Sequence, residues 1–157
     1  MLDRLIDVLR SLEAPASDER PRADAAARSA ELSRKAAMKA AALSSGLALP
    51  PGPAGLLTIL PDLVGVWRIQ SRLVADVAAC HGRTACLNRE SLLYCLFKHA
   101  AAQALRDLAA RVAQRTAFRA GARWLPVVGA VGVGAYAYFD TLQVGRTAAS
   151  FFRENAA

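Results

Sequence analysis

The chain predicts an all-α protein, a compact helical bundle of about five to six helices with glycine-rich helix contacts. Three observations lead there. Apolar residues make up 54 % of the 157 positions while aromatics make up only 6 %. Much of that apolar count is alanine, the best helix former. Alternation of polar and apolar positions never persists beyond a few residues, which argues against half-buried strands. Two long runs, residues 40–61 and 124–139, carry no charge and are marked by glycine and proline. Alanine buries little area, so such a core depends on close helix–helix approach.

The elements follow in order. Residues 1–13 form an amphipathic helix, with Leu2, Leu5, Ile6, Leu9 and Leu12 on one face. It either packs on the body or docks on a partner or membrane surface. Residues 14–22, APASDERPR, read as a linker. This divides the chain into an N-terminal helix with linker (1–22) and a helical domain (23–157). The next helix spans about 23–49, with Arg28, Arg34, Lys35 and Lys39 just ahead of the first uncharged run. Basic residues beside an apolar segment suit an anionic leaflet, and they equally suit a solvated face.

Pro50, Pro51 and Pro53 break that helix. Pro61 fits the first turn of the following one, where Asp62 meets the positive helix end. Residues 54–60 are then a separate short turn. Gly82 closes this helix. Asn88, with Ser91 three residues later, signals an N-cap, and the helix it opens is expected to reach about residue 119. Pro126 opens the last helix, which continues to Arg153. Within it Gly129, Gly132 and Gly134 remove side chains so that another backbone can approach, and Ala130 with Gly134 gives a small-xxx-small pair. Leucine at Gly132 is therefore expected to overpack a helix contact.

The net charge is +7, and 17 of the 20 basic residues are arginine. Such an excess suits an anionic partner, nucleic acid or phospholipid. The arginines are scattered among acids, with no helix-turn-helix and no aromatic platform, which disfavours nucleic acid. Three cysteines with no secretory pattern at the start of the chain predict a reducing compartment.

Residues 45–82, SGLALPPGPAGLLTILPDLVGVWRIQSRLVADVAACHG, and 124–152, WLPVVGAVGVGAYAYFDTLQVGRTAASFF, together resemble the EcsC family. The run from Leu125 to Ala130, followed by Val144-Gly145, is the most specific part. The family takes its name from a bacterial protein encoded beside the subunits of an ABC transporter. Its members typically carry more chain ahead of the first segment, and a small polar residue such as asparagine where Asp140 stands here. The resemblance implies a bacterial, helical, membrane-linked protein and an accessory place beside membrane transporter subunits. It brings no reaction with it.

Three groups of residues are candidates for a site. Asp62 and Asp140 are carboxylates in apolar surroundings. A buried charge must be paired or hydrogen-bonded, so Gln70, Arg72 and Arg146 are expected to complete a buried polar network with them. The same two carboxylates are the acid/base pair of an enzymatic reading, with His81 as a further base. Leu56, Leu57, Leu60, Trp67, Trp124, Val127 and Tyr136 are the apolar positions expected to face lipid. Cys80, Cys86, Cys95 and His99 give a C-x5-C-x8-C-x3-H spacing, in which Cys95 and His99 lie one turn apart as helical zinc ligands can. The set lacks a tight Cys-x₂₋₄-Cys knuckle, and the alternative is that the cysteines fill apolar core.

The expectation is a non-enzymatic, cytoplasmic helical protein that attaches peripherally to anionic membrane lipid or encloses an apolar ligand, without a cofactor. The other readings are a soluble all-α interaction module, and a metal protein or hydrolase built on Asp62, Asp140, His81 or the cysteine set. Sixteen uncharged residues span about 24 Å as helix, short of a bilayer crossing.

Overall fold

The computed structural model describes residues 15–47, 59–98 and 125–154, and the side chains of 59–62 and 125–130 stand outside that description. The described residues are all helical in their regular structure. Among the described residues four α-helices pack together, fewer than the five to six expected: α1 (Ala25–Leu47), α2 (Ile59–Cys80), α3 (Arg89–Phe97) and α4 (Leu125–Glu154). A single 3-10 turn (Thr84–Cys86) lies between α2 and α3. The expected helix over 1–13, residues 54–58 of the turn expected over 54–60 and the helical stretch beyond residue 98 fall outside the described residues, while Ile59 and Leu60 belong to α2 rather than to that turn.

The helix ends follow local chemistry. Pro61 and Pro126 stand in the first turns of α2 and α4, where a missing N–H costs no intrahelical bond. Gly82 ends α2 with φ of +67°, a conformation that favours glycine. There the Gly82 N–H donates to the Ala79 carbonyl (2.9 Å) and the Arg83 N–H to the Ala78 carbonyl (2.8 Å). These are the two bonds of a Schellman C-cap. Asn88 caps α3 as its sequence suggests. The Ser91 N–H donates to Asn88 Oδ1 (2.8 Å) and the Asn88 N–H to Ser91 Oγ (3.0 Å).

Helices α1, α2 and α4 form the body. α1 runs antiparallel to both others: its Ser29 lies beside His81 near the end of α2, while its Leu43 lies on Gly65 near the start. Likewise Ser33 of α1 meets Gly145 of α4, and Ala41 and Ser45 meet Gly134. A Cβ built on Gly134 would strike Ser45 Oγ and lie 3.1 Å from the Ala41 carbonyl oxygen. One on Gly145 would strike Ser33 Oγ and lie 3.3 Å from Leu73 Cδ2. These two glycines are what lets α1 and α4 approach. Gly132 is a correction to the sequence expectation. It is exposed, with nothing within 4 Å of its Cβ position, because two residues turn a helix about 200° and so it faces away from the contact that Gly134 makes.

The main core is uneven along the bundle axis. Leu73, Val74 and Val77 of α2, Leu92 and Leu96 of α3, and Val144 and Phe152 of α4 form one cluster towards the start of α1. The cluster at the other end is thin: Ala40, Val66 and Ala137, flanked by Leu43 and Ile69. Residues 15–24 lie across the bundle as a strap without regular structure. The Arg22 N–H donates to the Cys80 carbonyl (3.0 Å), and Ser17 Oγ donates to Asp76 Oδ1 (2.6 Å).

Candidate functional site

The three long helices lose their charge at a common level. Towards the thin end, the last charged residue of α1 is Lys39. On α2 it is Arg68, apart from Asp62 in the first turn, and on α4 it is Asp140. Lys39 and Arg68 line the same groove, and Gln70 of α2 bonds Asp140 of α4. The three boundaries therefore stand side by side. Beyond them lies a tip made from 40–47, 59–67 and 125–139, of which Asp62 is the sole charged residue.

The tip places large apolar groups outward. Val131 is 65 % exposed and Phe139 63 % exposed, and Val133 and Tyr136 are exposed beside them. Inward positions hold Gly134, Ala137 and Ala40. Close approach of α1 and α4 thus fills the interior with small residues and leaves the bulky ones on the surface. Further along α4 the outward positions become polar, with Arg146 and Arg153 exposed. Met38 of α1, 66 % exposed, adds an apolar side chain beside the boundary.

At the boundary sits a buried polar group. Gln70 is 1 % exposed. Its Nε2 donates to Asp140 Oδ2 (2.6 Å) and to Thr141 Oγ1 (3.3 Å). The arrangement brings together Gln70 and Asp140 from the expected network. It does not bring in Arg72, which pairs on the outside with Asp18 of the strap (2.6 Å) and Asp76 (3.4 Å). Arg146 is exposed along a groove of about 210 Å³ between α1 and α4. The side chain of Asp62 lies outside the description. A neutral amide holding a carboxylate across two helices fixes their register.

Of the expected lipid-facing positions, Tyr136 is exposed on the tip, while Trp67 packs its ring edge-on to Phe97 of α3, centroids 5.5 Å apart. Leu56, Leu57 and Trp124 lie outside the described residues, as do the side chains of Leu60 and Val127.

The cysteine set is dispersed between core and surface. Cys80 and Cys95 are buried and Cys86 is exposed in the 3-10 turn, while His99 lies outside the described residues. Among the described residues no three His, Cys, Asp or Glu side chains are grouped to hold a metal. Burial pushes the Cys80 and Cys95 thiols up to about 11, with Glu19 adding to the rise at Cys80. Such thiols are poor nucleophiles at neutral pH. His81 Nε2 lies 3.3 Å from Ser29 Oγ. That hydroxyl, 1 % exposed, already donates to the Ala25 carbonyl (2.7 Å). It can only accept from the imidazole, so this contact does not activate a nucleophile.

Sequence reasoning missed the strap. Its linker composition hides Ser17, Asp18 and Glu19, each of which finds a partner on α1 or α2. It also missed that Lys39 and Arg68 face one groove. Their i,i+4 companions, Lys35 and Arg72, were the available signal.

No family model, curated protein or solved structure matches this chain. Among the described residues no helix is long and apolar enough to cross a membrane.

Proposed function

We propose that the protein attaches peripherally to anionic membrane, with the tip, whose one charged residue is Asp62 in the first turn of α2, entering the headgroup region. The observation that carries this reading is the common level at which charge ends on α1, α2 and α4. A solvated bundle has no need to align its charge limits across three helices. An interface between water and lipid imposes such a limit, because a charge is costly on its apolar side. The outward Val131, Tyr136 and Phe139 supply apolar area, and aromatic rings suit the headgroup level. The excess of arginine supplies attraction to acidic lipid, worth about 1 kcal/mol per basic residue near the surface. The EcsC-like segments, residues 45–82 and 124–152, lend support, and with them comes the proposal of an accessory role beside transporter subunits. Attachment is expected to be cytoplasmic and non-enzymatic.

The test is co-flotation of the full chain with phosphatidylcholine vesicles containing phosphatidylglycerol, at low and high salt. The expected result is flotation at low salt and progressive release as salt screens the attraction. Absence from the vesicles at low salt would overturn the reading and leave an interaction module. Retention through high salt and alkaline carbonate would mean that the tip inserts more deeply than a peripheral contact.

A further inference from the structure

Between α1 and α2, immediately below the tip, runs a groove of about 310 Å³. Its floor includes the buried Ala36 and Leu73. Its rim carries four exposed cations, Lys35 and Lys39 from α1 and Arg68 and Arg72 from α2. They form two tiers, one helical turn or about 6 Å apart. In the tier away from the tip both cations are already engaged. Lys35 Nζ lies 2.8 Å from Glu31, and Arg72 bonds Asp18 and Asp76. Asp76 also closes this end of the groove and accepts a hydrogen bond from Ser17. In the tier beside the tip, Lys39 and Arg68 have no carboxylate within 4.0 Å among the described residues.

The groove is thus polarised. Its outer end is balanced by carboxylates, and its tipward end presents two donors without a carboxylate partner among the described side chains, a compact ammonium and a planar guanidinium of different geometry, as phosphate recognition uses. We propose that Lys39 and Arg68 hold the phosphodiester of one anionic phospholipid, whose acyl chains run along the tip. This rests on the membrane reading of the tip but adds a defined site on one side of the bundle. A diffuse basic surface would weaken with any loss of charge, whereas a site weakens only where its ligands are lost.

The experiment uses the full chain in two arms. In the first, monomeric dihexanoylphosphatidylglycerol, kept below its micelle concentration, is titrated while amide resonances are followed. Saturable shifts are expected around Lys39 and Arg68. They should be lost in Lys39→Gln/Arg68→Gln and kept in Arg34→Gln/Arg146→Gln, which removes the same charge from the α1–α4 groove. Inorganic phosphate alone should give much weaker shifts. In the second arm, flotation with phosphatidylglycerol vesicles should fall roughly 30-fold for the first double variant and much less for the second. Equal losses in both variants, or no saturable shifts in the wild-type chain, would overturn the site while leaving tip attachment standing. Saturable binding of the short-chain lipid without vesicle flotation would keep the site and overturn the tip. Equal binding of free phosphate would replace the lipid by a soluble phosphate as the occupant and so overturn the assignment.

Discussion

Where α1 begins, Arg28 lies between Glu19 and Glu31, Asn88 and Ser91 exchange capping bonds, and Phe152 is fully buried among Leu92 and Val144. Where α1 ends, no ion pair is found among the described residues, the interior is built from small residues such as Ala40, Gly134 and Ala137 with Val66 beside them, and Phe139 stands in the open. One helix, α4, serves both ends. Its second half buries Phe152 and exposes arginines, and its first half exposes Phe139 and carries no charge. The charged end is finished as a water-soluble bundle is finished. The uncharged end lacks that finish, and the difference is what a partner surface would supply.

The comparison can be broken at the helix contact common to both ends. Gly145→Leu would push into Ser33 and Leu73, and Gly134→Leu into Ser45 and the Ala41 carbonyl. Each should cost ~1–3 kcal/mol, read as a lower denaturant midpoint. Gly132→Ala, facing open space, should instead stabilise by up to ~1 kcal/mol through helix propensity. Equal effects at Gly132 and Gly134 would mean that α4 is rotated from the face described.

At the boundary, Gln70→Leu removes the donor to a largely buried carboxylate, a loss of ~1–3 kcal/mol. An unchanged midpoint would show that the Gln70–Asp140 bond does not tie α2 to α4. At the charged end, Asn88→Ala should cost ~1 kcal/mol through the lost cap. Amide exchange should then rise in α3 before it rises in the tip.

The smallest effect is expected from His81. Burial, with the charge of Arg153 behind it, holds its imidazole below the usual 6.5. The folded state therefore binds this proton less readily than the unfolded chain does. The stability it contributes is complete above about 6.5 and is lost as pH falls towards the lower folded value. His81→Gln should flatten the stability–pH curve in that window, and an unaltered slope would assign the dependence to another group.

Much of this fold is legible in the residues, and the limits have physical reasons. A carboxylate after sixteen uncharged residues has to be held, so Asp140 announces a partner; Gln70 and Arg72 were equally eligible until the packing fixed which face of α2 meets α4, and Arg146, on α4 itself, is exposed. Asn88 and Ser91 carry their cap in local spacing. Gly132 and Gly134 do not reveal which of them touches α1, because helix rotation is decided by the neighbour. The strap reads as a linker because its polar residues meet partners more than fifty positions away, as Ser17 meets Asp76 and Asp18 meets Arg72. The i,i+4 pairs Lys35/Lys39 and Arg68/Arg72 mark a basic face on each helix, but that the two faces share one groove is decided by how α1 packs on α2.

The central claim is that the uncharged tip, and not the body, meets lipid. Two substitutions of similar charge effect test it from opposite ends. Phe139→Asp places a carboxylate on the tip, and Thr84→Asp places one in the exposed 3-10 turn at the charged end. Both variants are floated with phosphatidylglycerol-containing vesicles at low salt. Phe139→Asp should lose about tenfold or more in binding, since it removes an aromatic side chain worth ~1.5–3 kcal/mol on burial, while Thr84→Asp should bind nearly as the parent chain does. Equal binding by the two variants would contradict the account.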